Sequence, residues 1–105
     1  MTNVDENNKK QLWTVTIGGS DMDDAVSEFV RGSKKAVMKY LHSLVENDKI
    51  YNEENNIDSW DYGTENPENV EDRGTSLYAF GCYCSSHVDY VARPFTNEIK
   101  ELEEE

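Results

Sequence analysis

The chain has 105 residues, 36% of them hydrophobic, 10% aromatic and 30% charged, which suits one domain with a modest core and excludes global disorder. Its 22 acidic residues against 10 basic ones give a formal net charge of −12. A surface of that sign repels nucleic acid and anionic lipid and attracts cationic proteins, at a rate that falls with added salt.

Residues 1–11 are polar and hold no apolar run, so a disordered N-terminal segment is expected there, and neither a signal peptide nor a membrane anchor. No apolar stretch approaches the roughly 20 residues that a membrane helix needs. Two cysteines and no Asn-x-Ser/Thr acceptor fit a reducing compartment, and the expected location is the cytosol.

Residues 12–17 alternate, with Trp13, Val15 and Ile17 on one face and Leu12, Thr14 and Thr16 on the other, and predict a first strand. Gly18 to Asp24 reads as a turn. Ala25 to Arg31 fits both a short helical stripe and a strand. A strand is favoured, because Gly32 follows at once and a seven-residue helix is marginal.

Ser33 suits a helix N-cap. After it, Ala36, Val37, Tyr40, Leu41, Leu44 and Val45 recur at helical spacing, and the opposite face carries Lys34, Lys35, Lys39 and His42. A second short helix is predicted over Pro67 to Arg73, with Asn66 as cap, Pro67 at the first position and Gly74 as stop. Leu77 to Cys84 is apolar on both faces, as a central strand would be. The turn Ser85-Ser86-His87 then leads into a last strand, Val88 to Arg93, ended by Pro94. Residues 98–105 form an acidic tail expected to fray. The expectation is therefore a single α+β domain over residues 12–97: a ββαββ antiparallel sheet, one main amphipathic helix on a face, and an acidic insertion carrying a short helix.

That insertion is the most unusual part of the sequence. Between Glu46 and Asp72 ten carboxylates face one cation, Lys49, for a net of −9, and Tyr51, Ile57, Trp60, Tyr62 and Val70 lie among them. A solvating linker has no use for aromatics of that size, which bury or dock. The segment is therefore expected to pack on the domain and to hold its carboxylates in fixed places, as the phosphates of a duplex are fixed. The simpler alternative is that the acidity serves only solubility, on a protein-interaction or structural module able to pair with itself through its sheet.

The stretches Thr14-Val15-Thr16-Ile17-Gly18-Gly19, Tyr40 to Glu46, Trp60-Asp61-Tyr62-Gly63-Thr64-Glu65, Tyr78 to Tyr83 and His87-Val88-Asp89-Tyr90 resemble those of small acidic proteins carried by phages and mobile elements of Firmicutes. That resemblance spans roughly residues 12–95. Proteins of this sort include DNA-mimicking inhibitors of CRISPR nucleases and restriction enzymes. By analogy it implies an inhibitor acting in the host cytosol on a protein with a basic nucleic-acid-binding channel, a Cas9-like or restriction nuclease.

Signals for chemistry are weak. Cys82-x-Cys84-x-x-His87 puts both thiols on one side of a strand but supplies no fourth ligand, so no metal is expected. Asp21-x-Asp23-Asp24 begins like a calcium loop and then fails, with Val26 where Gly is required and Gly32 where Glu should bind. His42 and His87 come with no nucleophile motif or phosphate-binding loop, so no catalytic residue, cofactor or enzyme activity is expected. The expected partner contacts are Glu53, Glu54, Asp58, Asp61, Glu65, Glu68, Glu71 and Asp72, with Trp60 and Tyr62 as anchors.

Overall fold

The two hairpins expected at either end of the chain meet in the middle of one sheet. In a computed structural model, which describes residues 9–20, 24–55, 60–83, 86–95 and 102–103, β1 (Gln11–Gly19) pairs with β2 (Val26–Gly32) on one side and with β6 (His87–Pro94) on the other. β6 in turn pairs with β5 (Leu77–Tyr83). The outer edge of β5 is shared by two short strands, β3 (Trp60–Gly63) and β4 (Glu71–Asp72), so the antiparallel sheet has six strands in the order β2-β1-β6-β5-β3, with β4 beside β5. Among the described residues a single α-helix, α1 (Lys34–Asn55), crosses one face. No helix among the described residues is long and apolar enough to cross a membrane.

Alternation within the strands builds the core. Trp13 and Val15 of β1, Tyr90 and Ala92 of β6, and Leu77 and Ala79 of β5 point to the helix side and are fully buried. Val37, Leu41 and Val45 of α1 press onto them. Each buried Val or Leu among them contributes about 1.5–3 kcal/mol by leaving water, and each Ala less. Ser33 caps the helix as expected, its Oγ accepting the Ala36 N–H at 3.1 Å.

Two expectations need correction, the strand order and the second helix, and the main helix proves longer than its apolar stripe. Ala25 to Arg31 is a strand, as favoured, but the ββαββ order is incomplete, because the acidic segment supplies two strands of its own. The main helix does not end with its apolar stripe at Val45. It continues for ten residues into the acidic segment, because Asp48 and Asn52 extend the buried stripe with polar side chains. Asp48 accepts the phenol hydrogen of buried Tyr90, and Asn52 is itself buried.

The helix expected over Pro67 to Arg73 is absent. Pro67–Asn69 makes one 3-10 turn, in which Asn66 forms no side-chain cap. Val70 then turns extended (φ −62°, ψ 124°) and buries its side chain, and Glu71 and Asp72 pair with Tyr78 and Leu77. Gly74, at φ +86°, turns the β4–β5 hairpin instead of stopping a helix. The Asp72 carboxylate accepts the Gly74 N–H at 3.0 Å, and the Arg73 N–H reaches the Ser76 carbonyl at 2.8 Å. Proline and glycine punctuate a hairpin here with the signals that otherwise mark helix ends.

Candidate partner-binding surface

The acidic segment is fixed to the body of the domain by its aromatics, through specific devices. Trp60 lays its indole across the helix side of β5, over Gly63 and Gly81; a Cβ at position 63 would come within 2.8 Å of the ring. Buried Thr64 follows at once. Its N–H donates to the Phe80 carbonyl (2.9 Å) and its Oγ1 accepts the Phe80 N–H (3.1 Å), closing the end of the short strand. Glu65 is held from the other side, since half-buried His42 donates Nε2–H to the Glu65 carbonyl at 2.7 Å. An acceptor of that kind requires the proton on Nε2.

Helical spacing places His42, Glu46, Lys49 and Glu53 along one stripe of α1, at steps of four, three and four residues. The stripe borders β3. Glu46, Asp61 and Glu65 therefore surround one shallow recess of about 90 Å³ between helix and strand, together with Lys49 and Trp60. Glu46 Oε1 lies 3.6 Å from His42 Nε2. Glu53 and Glu54 extend the acidic surface toward the C-terminal end of the helix, with Ile50 (47% exposed) and Tyr51 (58% exposed) beside them.

The remaining carboxylates behave differently. Asp48 faces inward to Tyr90. Asp72 is ion-paired with Lys34, which together with the Gly74 N–H holds its carboxyl below the ordinary range. Glu71 accepts from Arg73 at 3.1 Å on the helix-free side of the sheet. Glu68 lies with Lys34, Lys35 and Lys39 around a second depression, so the basic patch of the helix sits beside its own acidic cover. Asp58 lies outside the described residues.

Trp60 is committed to an intramolecular contact, whereas Tyr62 presents an exposed ring. That ring packs edge-on against Phe80 (centroids 5.9 Å apart) on the helix-free face, and the hydrogen bond to Cys82 pushes its phenol pKa up. Ile50 was missed by sequence reasoning. The only signal for it was an apolar residue standing off the core stripe, between Glu46, Glu53 and Glu54 at helical spacing.

The candidate metal and calcium motifs fall partly outside the described residues, at Cys84 and at Asp21 and Asp23. Among the described residues, no group of three or more His, Cys, Asp or Glu side chains is placed to hold a metal ion. No protein-family model matches the chain, and comparisons with curated proteins and with solved structures found no match either.

Proposed function

We propose that the chain is a phage- or mobile-element-encoded inhibitor that binds a host nucleic-acid-binding defence protein, a CRISPR or restriction nuclease, by presenting carboxylates to its basic channel. The observation that carries this reading is the anchorage of the acidic surface: Glu46 and Glu53 ride on a regular helix, Asp61 on the short strand β3, and Glu65 just after that strand, in a segment pinned by Trp60, Thr64 and His42. Two turns of helix separate Glu46 from Glu53 by about 10 Å. Anions held at such intervals meet a row of Arg and Lys without first losing the conformational entropy of a floppy acidic brush. Long-range attraction from the −12 chain speeds the encounter.

The proposed contact set keeps Glu53, Glu54, Asp61, Glu65 and Glu68 and adds Glu46, with Ile50 and Tyr51 as apolar centres. Asp72 and Glu71 are already engaged within the chain. The test is a Glu53→Lys, Glu54→Lys, Asp61→Lys, Glu65→Lys variant, whose fold is checked by circular dichroism. Loss of nuclease binding with an unchanged spectrum supports the proposal, and retained binding refutes it.

A further inference from the structure

The face of the sheet that α1 leaves uncovered has a composition unlike the rest of the molecule. Register puts Arg31 of β2 and Arg93 of β6 on it, and Arg73 lies over the Tyr78 ring at 4.1 Å, so all three arginines of the chain gather there. Its two margins are aromatic. Phe29 (67% exposed) meets Phe95 (45% exposed) edge-on at 6.2 Å along β2, and Tyr62, Phe80 and Tyr78 form a continuous row along β5. Between the margins lies a depression of about 310 Å³ lined by Thr14, Thr16, Gly18, Asp89, Val91 and Arg93. Arginine and aromatic side chains are the residues enriched where proteins meet, and lysine is depleted there.

We infer that this face is where a second copy of the chain docks, sheet against sheet, about a two-fold axis. Charge decides the occupant. The face carries three arginines, Arg31 and Arg93 on strands and Arg73 in the β4–β5 turn, against two carboxylates, Glu71 and Asp89, and those two already have partners in Arg73, Tyr78 and His87. It is therefore a nearly neutral area on a chain of net charge −12. Two copies facing each other across it, with sheets about 10 Å apart and a helix layer of about 10 Å on each, keep their acidic helix sides about 30 Å apart. That is several screening lengths of about 8 Å at physiological salt. Pairing through the helix side would instead set like charges against each other.

Size is adequate as well. Five strands at about 4.8 Å spacing and about six residues at about 3.3 Å rise give a footprint on the order of 500 Å². Protruding rings raise its accessible area toward the roughly 800 Å² that each partner buries in a stable complex. A two-fold contact also lets Arg31 and Arg93 of each copy meet the opposite copy's Asp89 or threonine hydroxyls. An aromatic, arginine-bearing sheet is equally the form of a single-strand nucleic-acid platform. A polyanion meets the whole −12 field, however, whereas a second copy can present its own neutral face.

The experiment is sedimentation equilibrium on the full chain at micromolar concentration, in physiological and in about 0.5 M salt. A mass near twice 12.1 kDa at both salts is expected. A Phe29→Glu, Arg93→Glu variant is expected to fall to the single-chain mass with unchanged circular dichroism and Tm, both side chains being exposed. The acidic-face variant described above is expected to stay dimeric, which separates this inference from the proposed function. A single-chain mass for the unmodified protein overturns the inference, and so does a dimer that survives the face variant or is lost in the acidic-face variant. Binding of a labelled single-stranded oligonucleotide by a monomeric chain, lost in the face variant, would assign the face to nucleic acid instead.

Discussion

The indole of Trp60 occupies the space that a side chain at position 81 would need: a Cβ built on Gly81 collides with the ring. This close approach joins the acidic segment to the sheet. Gly81→Ala is expected to displace the indole and destabilise the domain by about 1–3 kcal/mol, as overpacking does. Urea unfolding measures it, and amide exchange should rise most at Trp60 to Thr64. An unchanged midpoint would mean that the ring is free to move aside at little cost.

Tyr90 and Asp48 form a second link, between the centre of the sheet and the extended end of α1. Tyr90→Phe leaves a partly buried carboxylate without its donor and is expected to cost about 1–3 kcal/mol. Adding Asp48→Leu should recover part of that loss, since removing both polar partners is less damaging than removing one. A double-mutant cycle on unfolding free energies gives the coupling, and purely additive losses would show that the bond stabilises nothing.

Alkaline pH offers an independent check. The Glu28 carboxylate hydrogen-bonded to Tyr40 pushes that phenol up to about 12, and burial, with the bond to Asp89, does the same for Tyr78. A folded pKa raised above the ordinary 10 gives stability that is fully present below pH 10 and is lost as pH climbs through about 12. The denaturation midpoint should therefore fall over that window. Tyr40→Phe should flatten the slope; if the slope is unaltered, Tyr40 does not carry it.

The Lys34–Asp72 ion pair works in the opposite direction and more weakly. Lys34, with the Gly74 N–H, holds the Asp72 carboxyl below its ordinary value, so its contribution is present above the unfolded pKa and disappears as pH falls through the folded one. Both side chains are solvent-accessible, and Lys34→Ala is expected to cost less than about 1 kcal/mol at neutral pH. Titrating the Asp72 side-chain carbon by NMR should show its midpoint rising in that variant; a fixed midpoint would assign the depression to the Gly74 N–H alone.

Much of this architecture can be read directly from residue pattern. Alternation in Leu12 to Ile17, the run from Leu77 that is apolar on both faces, the cap at Ser33 and the stripe from Val37 to Val45 all signal the elements that form. The pattern is silent where polar residues do structural work. Asp48 and Asn52 look solvated in sequence, yet they continue the buried stripe and carry α1 onward for ten residues. Asn66, Pro67 and Gly74 match helix punctuation, but Val70 needs burial and the edge of β5 needs a partner, so a hairpin forms. The acidic surface shows as composition, while the division of its carboxylates into inward, paired and outward groups depends on tertiary contacts.

The central claim is that the outward carboxylates take the place of nucleic acid on a partner protein. Its most direct test is a competition in which labelled duplex DNA bound to a purified CRISPR or restriction nuclease is titrated with the intact chain and with the four-lysine variant, followed by fluorescence anisotropy. Displacement by the intact chain, weakening as salt rises and absent for the variant, is the expected result. DNA that stays bound while the chain nevertheless binds the nuclease, or displacement by the variant equal to that by the intact chain, would contradict it.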